Sequence, residues 1–159
     1  MQDSLDVKFM TLALREAEKA GKRNEVPVGA ILALDGRVIA RGHNRKEFSV
    51  SQDPTAHAEI IALRRAAKKL KSWRMTKASL YVTLEPCLMC MGAIIQSRIS
   101  RIVFAAFDPK AGACGSLYDV SNDLRLNHRV EVRSNVMEEE SKKLLKGFFS
   151  ALRKKRRPE

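Results

Sequence analysis

Two short segments carry the side chains best suited to chemistry: His57-Ala58-Glu59, and Pro86-Cys87-Leu88-Met89-Cys90 about thirty residues later. Cysteines at i and i+3 near the start of a helix share one face, so both sulfurs can reach one ion. Free amides and the positive end of the helix dipole favour thiolate there, and thiolate is the form that binds zinc. His57 supplies a nitrogen from the first turn of a neighbouring helix, and one nitrogen with two sulfurs suits tetrahedral zinc. Three protein ligands leave the fourth position for water, which separates a catalytic zinc from a structural one. Glu59 is two residues from His57 and is not expected to ligate the same ion. At a helix terminus both side chains can bend toward a site lying off the end. There Glu59 would take a proton from water and hand it to a ring nitrogen and a leaving amine.

A second reading of the same residues stays open. A structural Cys₃His site forms if Cys114 is a fourth ligand, and His128 is a further candidate to close it. The glutamate beside the histidine and the proline ahead of the first cysteine favour catalysis. Cys114 by itself is expected to be a small buried residue, and His43 and His128 to be hydrogen-bonded loop residues.

The elements that must position these groups follow from periodicity. Leu5–Ala20 places Phe9, Met10, Ala13, Leu14 and Ala17 at helical spacing, with Gly21 as a stop. Val28–Leu34 and Arg37–Arg41 flank Asp35-Gly36, a hairpin signal because both turn residues must take positive φ. A second helix runs from Ala56 to Leu70, with Ile60, Leu63, Ala67 and Leu70 on one face. Ser79–Thr83 reads as a strand and Cys87–Ser97 as a helix whose first turn is pre-set by Pro86. Arg101–Ala106 is a strand that must run parallel to Ser79–Thr83 through that crossover. A long loop over Asp108–Asn127, a short strand near Arg129–Arg133 and a last helix from about Met137 to Lys155 complete the chain. The fold class is therefore α/β, three layers with a central mixed sheet of about five strands. Residues 1–159 are expected to form one domain with a basic C-terminal helix and tail over about 137–159.

Charge narrows the partners. Thirty Lys and Arg against eighteen Asp and Glu give a formal +12, a field that draws polyanions, nucleic acid first. The biased segment Arg153-Lys154-Lys155-Arg156-Arg157 fits either a nuclear-localisation pattern or a phosphate-seeking arm. Charges at Asp3, Asp6, Lys8 and Arg15 exclude the apolar core of a signal peptide, and no apolar run approaches membrane-spanning length. Three cysteines, two of them in a C-x-x-C, make a poor disulfide framework and fit a reducing cytoplasm.

His-x-Glu with Pro-Cys-x-x-Cys is a known signature of zinc-dependent nucleobase deaminases. With Val26-Pro27-Val28-Gly29-Ala30, Gly42-His43-Asn44-Arg45, Asp53-Pro54-Thr55, Leu80-Tyr81-Val82-Thr83-Leu84-Glu85, Asp108–Ser116 and Asn127-His128-Arg129-Val130, the chain resembles the bacterial tRNA-specific adenosine deaminases of the cytidine-deaminase-like superfamily over nearly its whole length. The resemblance implies a hydrolase acting on a cyclic amidine. Its reaction converts the wobble adenosine, position 34, of an arginine tRNA to inosine and releases ammonia. The enzyme would be a cytoplasmic homodimer with one Zn²⁺ per subunit, binding an anticodon stem-loop and no membrane.

It further implies that Asn44 hydrogen-bonds the purine, Val28 walls the base pocket and Ala58 contributes its backbone. Asp108 would accept from a ribose 2′-OH, Lys110 and Arg129 would hold phosphates, and Asn127 and Phe149 would lie against RNA. Of Phe148 and Phe149, one at least is expected in the core, since adjacent helical positions face about 100° apart. Phe107 departs from the family, which often carries a basic or polar residue there. Two alternatives remain in view: a deaminase of a free base or nucleotide, which a C-terminal lid over the pocket would suit, and a non-catalytic zinc module that binds RNA.

Overall fold

The computed structural model describes residues 1–47 and 52–156. Its elements are α1 (Gln2–Lys22), β1 (Gly29–Leu34), β2 (Arg37–His43), α2 (Ala58–Leu70), β3 (Ser79–Leu84), α3 (Leu88–Gln96), β4 (Arg101–Ala106), β5 (Glu131–Arg133) and α4 (Glu138–Arg156). This is the order expected from the sequence. The strands form a five-stranded sheet in the order β2-β1-β3-β4-β5. β1 is antiparallel to both β2 and β3, whereas β3, β4 and β5 run parallel. The hairpin turns where Asp35-Gly36 requires it, at φ 51° and 72°.

Alternation along the strands divides the core in two. Ala30, Leu32, Leu80, Val82, Ile102 and Phe104 face α2 and α3. Their neighbours Ile31, Ala33, Tyr81, Val103 and Ala105 face α1, where Phe9, Met10, Ala13 and Leu14 cover them. Side chains of period two on strands thus meet side chains of period 3.6 on helices, one layer on each face. α4 joins the α1 side through Leu144 and Ser141, whose hydroxyl donates to the Thr83 carbonyl at 2.6 Å.

Several boundaries differ from the sequence expectation: α1 spans Gln2–Lys22, so that Gly21 lies within the helix and does not stop it, and β2 runs on to His43. β5 begins at Glu131 rather than near Arg129, because the Val130 amide is taken by the Ser121 carbonyl. α3 begins at Leu88, with Cys87 as its N-cap and Pro86 outside the helix. The Pro86 carbonyl there accepts from the Ala113 amide at 2.8 Å. Proline thus orients the entry to the helix rather than its first turn. Likewise α2 starts at Ala58, with His57 as an extended N-cap.

The N-terminus of α2 is held close to β2 by the absence of a side chain. A Cβ on Gly42 would overlap the Ala58 carbonyl oxygen and stand 2.9 Å from the Ala62 nitrogen. Both obstacles are backbone, so neither can rotate away. Gly42→Ala is expected to cost about 1–3 kcal/mol of overpacking and to push His57 and Glu59 out of place with the helix. Thermal melts should fall by several degrees; an unchanged midpoint would mean that the helix gives way freely.

Candidate active site

His57 and Cys87 are both helix N-caps, on α2 and α3, and Cys90 sits three residues into α3. An N-cap side chain turns back over the helix end, so all three donors meet in the space between the two termini. His57 Nδ1 lies 3.6 Å from Cys87 Sγ and 3.5 Å from Cys90 Sγ. The three ligand atoms lie within 4.8 Å of one another, and no other such group of potential metal ligands occurs among the described residues.

The electrostatics of the cluster call for a cation. The Cys87 thiol is pushed down to about 3 by the Cys90 hydrogen bond and then by His57, against the opposing effect of burial. Cys90 is driven the other way, by the Cys87 hydrogen bond and by burial. Two thiols in contact ionise together readily only with a positive charge beside them. The Cys87 hydrogen bond raises His57. An N,S,S donor set that converges from two helix termini fits zinc.

Above the cluster opens a cavity of about 150 Å³ lined by Val28, Asn44, His57, Glu59, Cys87 and Asp108, together with Val26, Lys46, Leu84, Glu85 and Ala111. Glu59 is 4% exposed, and burial raises its carboxyl above the ordinary range. Both His57 and Glu59 reach the same cavity from adjacent turns of the chain, as a site beyond the helix end allows.

Asn44 does structural work with part of its amide. Its Oδ1 accepts from the Ala58 amide at 2.9 Å, and its Nδ2 donates to the Val26 carbonyl at 3.2 Å. An amide offers two N–H bonds and two lone pairs, so one of each remains toward the cavity. Ala58 is buried with its N–H engaged in this way. Asp108 is likewise shared: its Oδ1 accepts from the Lys110 and Ala111 amides at 3.1 and 3.3 Å while its side chain lines the cavity.

The remaining sequence candidates lie outside the cavity. Lys110 is exposed on the loop two residues beyond Asp108. Asn127 and Arg129 are exposed on either side of His128, whose Nε2 is tethered to the Ile99 carbonyl at 2.6 Å. Phe149 is 40% exposed on α4, edge-on to Phe148 with ring centroids 5.3 Å apart. Neither phenylalanine is in the core, contrary to expectation, because Ser141 alone of the described α4 residues is buried. Phe148 instead lines a groove of about 1060 Å³ between α1 and α4, with Leu14, Pro27 and Leu144. That groove holds none of the candidate ligands or acids. Phe107 is 39% exposed beside the cavity residue Asp108 and packs edge-on against Phe104 at 5.0 Å.

A four-ligand site is not formed. Cys114 is buried with its Sγ 3.1 Å from Met91 Sδ, and burial lifts its thiol to about 12. His128 is held at Ile99 and His43 Nδ1 by Glu16 at 2.9 Å. Cys114 is thus the small buried residue expected; His43 is hydrogen-bonded, though on a strand rather than in a loop.

Glu85 and Lys46 were not singled out by sequence reasoning. Glu85 is 3% exposed, and its carboxylate accepts from the Asp108 and Cys114 amides at 2.9 Å, from the Ser116 amide at 3.1 Å and from the Ser116 hydroxyl. One carboxylate thereby ties the 108–116 loop to the end of β3. The available signal was a charged residue closing an apolar strand directly before Pro86-Cys87. Lys46 lines the cavity while its amide donates to Glu25 at 3.1 Å.

Comparison with known proteins follows this geometry. The profile of the MafB19-like deaminases matches residues 5–153. A tRNA-specific adenosine deaminase of Bacillus subtilis is 47% identical over 156 residues, spanning 98% of this chain and 94% of its own. Another, from Haemophilus influenzae, is 47% identical over 160 residues, spanning 100% and 91%. A structure from work on A-to-I editing by tRNA:A34 deaminases at the wobble position is 48% identical, with a TM-score of 0.83 over 87% of this chain and 99% of that one.

Proposed function

The chain belongs to the tRNA-specific adenosine deaminases within the MafB19-like deaminases, and from that premise we propose that it hydrolyses adenosine 34 of an arginine tRNA to inosine and ammonia. The observation that carries the reading is Glu59 opening into one cavity with His57 and Cys87. The proposal takes residues 1–159 as one catalytic domain.

His57, Cys87 and Cys90 would hold the zinc ion, which when bound supplies the Lewis acidity that makes water a nucleophile at neutral pH. The residues of the chain do the rest. Val28 and the free half of the Asn44 amide hold a flipped purine. Glu59 removes a proton from the attacking water and delivers it to N1 as oxygen adds to C6. It then takes the remaining proton of that hydroxyl and gives it to the amine, so that the C6–N6 bond breaks, C6=O forms and N1 keeps its hydrogen. Water is consumed and ammonia leaves, so atoms and protons balance. Asp108, at the cavity rim, is suited to a ribose 2′-OH. Lys110, Asn127, Arg129 and Phe149, all exposed, are proposed to meet the flanking nucleotides.

Beyond Ala111, no described residue lines the cavity, and α4 packs instead against β3, β4 and α1. A cavity that no described residue of the C-terminal helix lines suits a base projecting from a polymer better than a free base. A homodimer is proposed on the exposed apolar side chains Leu88 and Met89 of α3, with Leu117 and Tyr118. No helix among the described residues is long and apolar enough to cross a membrane, and a tRNA substrate places the activity in the cytoplasm.

Mass spectrometry of an arginine tRNA transcript tests the proposal. Inosine is expected at position 34, is expected to disappear on chelation and to return with added zinc. Survival of the wobble adenosine with folded, zinc-loaded protein would overturn it.

A further inference from the structure

From Glu59 to Glu85 the intervening chain holds no acidic residue and seven basic ones. Arg64, Arg65, Lys68 and Lys69 lie on the outer face of α2, and Lys71, Arg74 and Lys77 on the turn that leads to β3. All seven are exposed. Elsewhere some cations find carboxylates, Lys19 with Glu16, Arg101 with Asp6, Arg125 with Asp123, Arg133 with Asp3 and Lys142 with Glu138, whereas the basic run at the end of α4 is, like most of this face, without an ion pair among the described residues. On this face Arg64 alone approaches one, Asp53 at 3.9 Å, and Arg65 turns to the Arg41 carbonyl. Among the described residues Lys68, Lys69, Lys71, Arg74 and Lys77 make no ion pair. Arg74 instead stacks 4.9 Å over the ring of Trp73, which is 57% exposed.

A surface of one sign, with a single long ion pair at Arg64, repels a second copy of itself and therefore does not suit a homodimer contact. It does suit a row of phosphates, whose release of counterions makes each neutralised contact favourable. The ridge also begins at the site. α2 carries His57 at its N-cap, and its 13 residues extend roughly 20 Å from there. Nucleic acid whose base enters the cavity must continue past this helix or on the opposite side, and only phosphate contacts set such a register without reading sequence.

We propose that the outer face of α2 and the turn after it hold the backbone phosphates of the duplex stem beside the reacting loop. This rests on the proposed RNA substrate and adds a docking surface for it. The test is the triple variant Lys68→Gln, Lys69→Gln and Lys77→Gln: Lys68 and Lys69 are helical positions that accept glutamine readily, and Lys77 is exposed on the turn before β3. Binding and deamination are measured across a salt series on two RNAs, an anticodon stem-loop and the loop oligonucleotide without its stem. The variant should bind the stem-loop about tenfold or more weakly, and the slope of log K against log salt should flatten by about 2–3 for three lost contacts. Deamination of the loop oligonucleotide should match wild type, which shows the fold and site intact. Unchanged stem-loop affinity and slope would overturn the proposal, as would equal losses on both RNAs. If wild type makes inosine in neither RNA, the substrate reading falls, while the binding slope still reports on the ridge.

Discussion

Glu59→Gln is expected to lower inosine formation by about a thousandfold or more, within or above the range attributed to general acid–base catalysis, with zinc content and melting temperature close to wild type. Glutamine preserves the volume of a side chain that is 4% exposed, so packing on α2 survives. What it loses is the ability to accept a proton from water and return it to the base and the leaving amine. Cavity, purine contacts and metal donors all remain, which isolates the proton transfer. Single-turnover assays with saturating RNA, paired with metal analysis, measure this. Activity within tenfold of wild type would sink the assigned role. Loss of zinc together with activity would instead make Glu59 a ligand, against its position two residues from His57.

Asp6→Asn is expected to have the largest effect on stability, about 3–5 kcal/mol, the cost of stripping one partner from a buried ion pair. Asp6 is fully buried. Arg101 grips it with two bonds, 2.8 Å to Oδ1 and 2.9 Å to Oδ2, while the Tyr81 hydroxyl donates at 2.8 Å, Gln2 at 3.0 Å and Arg133 at 2.5 Å. These bonds tie α1 to β3, β4 and β5. Burial alone would raise the carboxyl, but the bonds from Arg101, Gln2 and Tyr81 outweigh it and hold Asp6 well below its ordinary value of 3.8. A carboxylate lowered in the folded state stabilises fully above its unfolded pKa, and that contribution fades as pH falls through the folded value. Arg101 is raised further by the Asp6 hydrogen bond and stays charged throughout. The stability gap between wild type and variant should therefore be constant from neutral pH down to about 5 and narrow below about 4. Urea titrations at pH 7, 5, 4 and 3 would show it; a gap that holds undiminished to pH 3 would mean that the charge on Asp6 is not its source.

These two residues stand at opposite ends of what sequence can disclose. Glu59 sits in a local pattern, one residue from Ala58 and two from His57, and the chemistry of such a pattern can be written down before any fold is known. Asp6 gains its importance from Tyr81, Arg101 and Arg133, 75 to 127 positions away. In the sequence it is only a charge that rules out a signal peptide.

The same division runs through the molecule. Element order, the Asp35-Gly36 hairpin and the parallel crossover were legible because they depend on periodicity and turn chemistry, which act over a few residues. The candidate donors His57, Cys87 and Cys90, whose ligand atoms the fold brings within 4.8 Å of one another, could be picked out because Cys-x-x-Cys and His-x-Glu have their meaning at short spacing. Only the tertiary structure decided that His57 and Cys87 are N-caps rather than first-turn residues, since Gly42 and the Ala113–Pro86 hydrogen bond set those helix ends from afar. It alone left Cys114 with Met91, put Glu85 under the 108–116 loop and kept Phe148 and Phe149 outside the core. Local spacing determines which side chains can share an ion. Burial and long-range hydrogen bonding determine which polar groups are occupied with the backbone and which remain for a substrate, and no window of sequence contains that information.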